Sequence, residues 1–322
     1  MFAVRGLAVC FSVFLILYGA LSLAVCLVWR RVWTYGQECS ARRCADLLFA
    51  LRSVPFVVSL AVTLILAVPS FLLLEPRAVE EPVGIVPLSL GFCGVVLMLA
   101  GIWNAVTALV QASRTVARWS SEARVIDYSP AGSGKSLSVL RTPAPAPPLT
   151  VAGILRPTVW LSGAAEFVLT ERELDGALRH EVAHIRRRDN LKKLLLCLMP
   201  IPGITQLERA WREATEMAAD DAAVSNVSEA LDLAAAVIKL SRLAPLELPA
   251  ELTTALVHSP AESVNARVER LISWTQHRQN PANKYSLAYA LCATTVVLTA
   301  VVAVTYGQLL VQVHAATEWL VR

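Results

Sequence analysis

Long uncharged apolar runs alternate with charged stretches along this chain, and four of the runs can each cross a bilayer as a helix: Leu7–Trp29, Val54–Leu74, Val83–Val110 and Tyr285–Val311. The first exceeds a signal-peptide core, and Arg30-Arg31 follows it where a small-residue cleavage site would stand. It is read as a retained anchor. Between the third and fourth runs the pattern changes. Ser136–Leu140, Leu149–Leu155 and Thr158–Leu161 have strand character, and Arg156-Pro157 between the last two predicts a small sheet with a free edge. Thr170 and Glu173 have the spacing of a capping box, with Leu169 and Leu174 as its hydrophobic staple, so a helix is predicted from Glu171. Pro200, Pro202 and Gly203 end the leucine-rich stretch beyond it, and a second helix carries Glu216 and Asp220.

The fold class expected is a mainly α integral membrane protein with a cytoplasmic α+β domain built on a small β-sheet. The domains are a transmembrane bundle over 1–112, a cytoplasmic domain over 113–284, and a fourth span with a short tail over 285–322. Direction follows from basic residues. Arg30, Arg31, Arg42, Arg43 and Arg52 lie between spans one and two, whereas Arg77 stands against Glu75, Glu80 and Glu81 between spans two and three. Arg114, Arg118 and Arg124 follow span three, and Arg270, Arg278 and Lys284 precede span four. Both termini are therefore expected outside a bacterial-type cytoplasmic membrane.

Composition agrees: 56% of residues are hydrophobic and 17% charged, against about 25% charged in soluble domains. A net charge of +4 is too small to argue for direct nucleic-acid binding. The seven cysteines form no disulfide framework; most lie in apolar runs, and Cys39 and Cys44 share a basic loop.

Candidate chemistry concentrates at His180-Glu-Val-Ala-His184. Histidines four apart on a helix project from one face, one turn above the other, and Glu181 lies one residue round. Glu216 and Asp220, also four apart, supply carboxylates from the second helix. Two imidazoles and one carboxylate hold a catalytic zinc ion with a position left for water. In this reading His180, His184 and Glu216 are the ligands of one Zn2+. Glu181 is the general base, and Asp220 accepts the second N–H of a liganding imidazole. Arg186-Arg187-Arg188 and Lys192-Lys193 form a solvated basic face. The competing reading lets them meet acidic lipid headgroups while Leu194–Met199 dips into the interface.

His180 through Asn190, Glu216 through Asp221 and Val151 through Val159 closely resemble the corresponding segments of the BlaR/MecR-type antirepressor metallopeptidases, whose plan of three spans, a zinc domain and a fourth span is also similar. The resemblance implies a zinc-dependent endopeptidase in signal transduction that cleaves a protein or peptide substrate, with a BlaI-type transcriptional repressor as the candidate. It implies the same ligands and base, and an edge strand over Val151, Ala152, Gly153, Ile154 and Leu155 that binds substrate by strand addition. Related HtpX-like peptidases suggest His258 or Arg267 as a transition-state stabiliser. No penicillin-binding domain follows the fourth span, so β-lactam sensing is not expected. The alternative is a non-proteolytic membrane receptor or scaffold that retains the zinc-peptidase fold.

Overall fold

The computed structural model describes residues 2–37, 39–76, 84–120, 123–128, 137–142, 147–154, 156–201, 204–243, 254–255, 261–274 and 305–318. The chain divides into two compact units. One comprises Met1–Trp29, Ala50–Ala100 and Asn280–Arg322; the other comprises Arg30–Phe49 and Gly101–Gln279.

Among the described residues, three helices are long and apolar enough to cross a membrane: Phe2–Gly36, Ala41–Leu74 and Ile85–Ser120. The first lies within α1 (Phe2–Gln37) and the third is α4 (Ile85–Ser120). Each of these has 36 residues, about 54 Å at 1.5 Å per residue, so both outrun the roughly 30 Å hydrocarbon layer. The apolar runs were shorter because the helices continue into polar sequence at their ends. Leu23, Leu73, Ile85 and Phe92 are exposed, so the outer faces of these helices are apolar as well. A Cβ on Gly91 would lie 2.7 Å from the Ala8 backbone, so only glycine allows α4 to approach α1 this closely.

The second candidate span is interrupted. α2 (Ala41–Val62) passes into a π-helical turn, Thr63–Ala67, before α3 (Val68–Leu74). Pro69 has no N–H to offer the Ile65 carbonyl. The Tyr306 hydroxyl donates to that carbonyl instead, at 2.9 Å. Residues 305–318 form a helix, and its Leu310 carbonyl accepts from Ser70 Oγ at 3.0 Å. The contacts advance together, 65 with 306 and 70 with 310, so this helix runs in the same direction as α3. Of the expected fourth span, residues 285–304 lie outside the described residues.

The second unit holds a five-stranded sheet in the order β1 (Arg124–Tyr128), β2 (Leu137–Thr142), β4 (Thr158–Ser162), β3 (Leu149–Ala152), β5 (Thr254–Ala255). β2 and β4 are parallel; the other neighbours are antiparallel. β3, β4 and most of β2 fall where strand character was read. The free edge expected at Val151–Leu155 is covered in part: β5 pairs Ala255 with Thr150 and Thr254 with Val151. A two-residue strand is too short to leave an alternating pattern. Beyond it, Asn190 Nδ2 donates to the Gly153 carbonyl at 3.0 Å and closes more of that edge. Leu155 lies outside the described residues.

After the sheet come α5 (Gly163–Val168), α6 (Glu171–Arg187), α7 (Asp189–Cys197), α8 (Thr205–Ala223), α9 (Val227–Leu243) and α10 (Ala261–Ile272). The capping box starts α6 where it was predicted: the Thr170 N–H donates to Glu173 Oε2 at 2.8 Å, and the Glu173 N–H donates to Thr170 Oγ1. Leu174, Ala177, Leu178 and Ile185 share one face of α6 and join the core formed with Val151, Val159, Leu233 and Val237. Each such buried aliphatic side chain contributes about 1.5–3 kcal/mol. That packing, on α8, α9 and the sheet, fixes the opposite edge of α6, where the two histidines stand.

Candidate metal centre

Burial of the α6 core face turns His180 and His184 toward α8, and the matching face of α8 returns Glu216 and Asp220. His180, Glu181, His184 and Asp220 are at most 2% exposed. The two Nε2 atoms are 3.1 Å apart. Glu216 Oε2 lies 3.5 Å from His180 Nε2, and its Oε1 lies 3.6 Å from His184 Nε2. Ligand atoms of a tetrahedral ion with bonds near 2.0–2.1 Å stand about 3.3 Å apart, so these three donors fit one first-row divalent metal ion.

The outer nitrogens are also occupied. His180 Nδ1 is 2.9 Å from Asp220 Oδ1, and His184 Nδ1 is 2.8 Å from Asp189 Oδ2. His184 Nδ1 is hydrogen-bonded to Asp189, whereas His180 Nδ1 lies close to Asp220 without the alignment of a hydrogen bond; with their protons held on Nδ1, both Nε2 atoms would be free to ligate. Asp220 therefore lies where its spacing suggested. Asp189 has the same relation to His184, and its role could not be read from the sequence. It follows Arg188, whose φ of 55° breaks the helical path and turns Asp189 back under the ring.

Arg267 lies on α10 and is 1% exposed. Its Nε and Nη2 donate to the two oxygens of Asp220 at 2.9 and 2.7 Å, and Nη1 is 3.1 Å from Glu216 Oε2. The guanidinium fork is thus turned onto the carboxylates behind the donor set. The transition-state role expected for Arg267 gives way to positioning of Glu216 and Asp220. Beside it Arg270 Nη2 meets both oxygens of Asp221 at 2.6 Å. His258 lies outside the described residues.

Charge and burial compete throughout the cluster. Burial pushes the Glu181 carboxyl up, against the pull of His184 and His180, to about 7. Burial would lower His180, but its bonds to Asp220 and Glu216 carry it up to about 9. Burial opposes ionisation of Glu216 as well, yet His184 and Arg267 bring its carboxyl down to about 2. The same contest, dominated by Arg267 once burial is overcome, holds Asp220 well below the usual carboxylate range.

Glu181 is the exception among these carboxylates. It is fully buried, and neither of its oxygens has a hydrogen-bond partner among the described residues. An unsatisfied buried polar group costs about 1–3 kcal/mol. A metal-bound water beside the three donors would give it the missing partner.

No protein-family model matches the chain, and a search of curated proteins gives no match.

Proposed function

We propose that this chain is a membrane-anchored zinc-dependent endopeptidase of the BlaR/MecR antirepressor kind, with its active site in the cytoplasm. The observation that carries the reading is Glu181, a partnerless carboxylate sealed beside a three-donor metal set. Two imidazoles and one carboxylate suit zinc, and the second unit offers no cysteine close enough to complete a closed structural site among the described residues.

Bound zinc supplies a Lewis acid and lowers the pKa of water at the open position. The remaining work falls to the chain itself. His180 and His184 would hold the ion through Nε2, and Glu216 through a carboxylate oxygen. Asp220 and Asp189 hold the Nδ1 protons, so neither ring can present the wrong tautomer. Arg267 restrains Glu216 and Asp220 in one geometry. Glu181 would take a proton from the attacking water onto a carboxylate oxygen. It then passes that proton to the departing amine nitrogen.

Three apolar helices support membrane anchoring. The basic residues flanking them support a cytoplasmic active site with both termini outside. A shared direction for α3 and the 305–318 helix is what spans two and four of such a chain require. A BlaI-type repressor is the substrate that the resemblance names.

Glu181→Gln tests the reading. The variant keeps the ligands and should retain zinc, while cleavage falls by about 10²–10⁴-fold. Quantitative proteomics of cells carrying wild type or variant identifies the substrate as a protein spared by the variant. Equal proteolysis in the two strains would sink the mechanism.

A further inference from the structure

A cavity of about 390 Å³ lies next to the metal centre and shares one of its three donors. His184 and Asp189 contribute to its wall, while His180, Glu181 and Glu216 do not. Its size falls within the range of small-molecule sites. Val151, Ile154, Pro157, Ile185 and Leu191 make most of the lining apolar, and Arg188 is the one cationic side chain among the lining residues. Arg188 and nearby Arg186 are exposed, and neither has an ion-pair partner among the described residues. Arg188 also keeps a left-handed backbone.

The surroundings decide what such a cavity holds. Ile154 packs with Leu194 and Cys197 against Ala108 and Ala112 of α4. Further along α4, a Cβ on Gly101 would collide with the Leu198 carbonyl, so the turn after α7 touches the helix there. From Ala112 to Gly101 is roughly 16 Å along α4, and Gly101 lies inside the apolar run 83–110. The far end of α7 therefore reaches the apolar part of a candidate span. Its near end carries Arg188 and follows Arg186. Apolar contact at one end and free guanidinium groups at the other match the tail-to-headgroup axis of one leaflet.

We propose that this cavity binds an anionic phospholipid, with an acyl chain against Val151, Ile154, Ile185 and Leu191 and the phosphate on Arg188. The proposal rests on the membrane reading of α4 and is independent of peptidase activity. Bound lipid touches the Asp189–His184 pair from behind, which couples leaflet composition to the metal centre.

The test uses the full chain in phosphatidylcholine nanodiscs containing a trace of phosphatidylglycerol with a diazirine in its acyl chain. Photolabelled peptides are mapped by mass spectrometry, and a diazirine phosphatidylcholine serves as comparison. Labelling is expected in 151–157 and 184–191, with the anionic probe exceeding the zwitterionic one by about fivefold, the weight of one basic residue at an anionic surface. Arg188→Asn should remove that preference, since asparagine keeps the left-handed backbone while discarding the charge. Equal labelling by both probes, an unchanged pattern in Arg188→Asn, or label confined to the spanning helices overturns the proposal. So does competition by excess soluble glycerol phosphate, which would make this a free-phosphate site. Glu181→Gln leaves the labelling unchanged, so failure here and failure of the peptidase reading are seen separately.

Discussion

Replacing Arg267 by methionine roughly keeps the volume of the side chain and removes the only arginine among the described residues seen to reach both Glu216 and Asp220. Three polar contacts between 2.7 and 3.1 Å disappear together. Asp220 and Arg267 side chains are each 1% exposed, so water cannot replace the lost partner without the site opening. Removing one member of a buried ion pair costs about 3–5 kcal/mol, because the remaining charge stays desolvated. Asp220 also loses the charge that holds it ionised, and with it the firm hold on His180 Nδ1. Metal affinity should therefore fall by about 10–100-fold beside the loss of stability. Denaturant unfolding of the full chain in micelles, followed by near-ultraviolet circular dichroism, measures the first effect. Competition with a chromophoric chelator measures the second. A double-mutant cycle with Asp220→Asn separates the pair from its surroundings, and a coupling of about 2–3 kcal/mol is expected. Additive effects in that cycle, or an Arg267→Met variant as stable as an exposed Arg186→Met control, would refute the assignment of Arg267 as the positioning residue.

Two further outcomes follow from the same contacts. Asp189→Asn leaves all three donors in place but releases the His184 ring, and should weaken zinc binding by about 10–100-fold in the chelator assay; wild-type affinity would contradict the role given to Asp189. Burial works against the Glu173 carboxylate, but the Lys239 ammonium at 2.7 Å and the Thr170 cap more than offset it and keep its pKa below the ordinary value. A depressed carboxylate pKa stabilises the fold above the unfolded value, about 4.3, and that stabilisation disappears as pH falls through the folded one. The stability gap between wild type and Glu173→Gln should accordingly be full at pH 6 and close on acidification below about 4; a gap independent of pH would contradict it.

What the sequence revealed and what it concealed divide by range. The capping box at Thr170 and Glu173, the two histidines four apart, and the Glu216–Asp220 pair are regularities within a helical turn, which one strand of sequence can display. The apolar runs were visible for the same reason, although their edges understated α1 and α4. Asp189 was concealed because it is five residues beyond His184, a spacing that reaches the ring only when Arg188 leaves the helix. Arg267 was singled out by resemblance for another role; its pairing with Asp220, 47 residues away, leaves no local pattern. β5 was concealed by its length, so the partial cover that it gives the edge at Val151 was not foreseen. Pro69 did carry a signal: a proline inside an apolar run leaves one carbonyl unpaired, and Tyr306 is the side chain that answers it.

The same distant contacts explain why the cluster suits a divalent ion. Glu181, Asp189 and Asp220 are buried and Glu216 is half-buried around two imidazoles; among the described residues Arg267 stands fully buried beside them with the opposite charge, and Lys193 lies close enough to feel Glu216, Asp189 and Glu181. Arg187 and Lys192 add partial compensation at the other oxygen of Asp189, at 3.5 and 3.9 Å. Asp220 and Glu216 hold a proton on His180 up to about 9 despite complete burial, and burial itself keeps Glu181 protonated to about 7. A cluster of this kind is stable only with positive charge inside it. Protons meet that need one at a time and occupy the nitrogen lone pairs. A divalent ion meets it at once, uses those lone pairs as ligands, and leaves Glu181 free to exchange a proton. The arrangement that holds the charge in place is therefore also the one that readies Glu181 for catalysis.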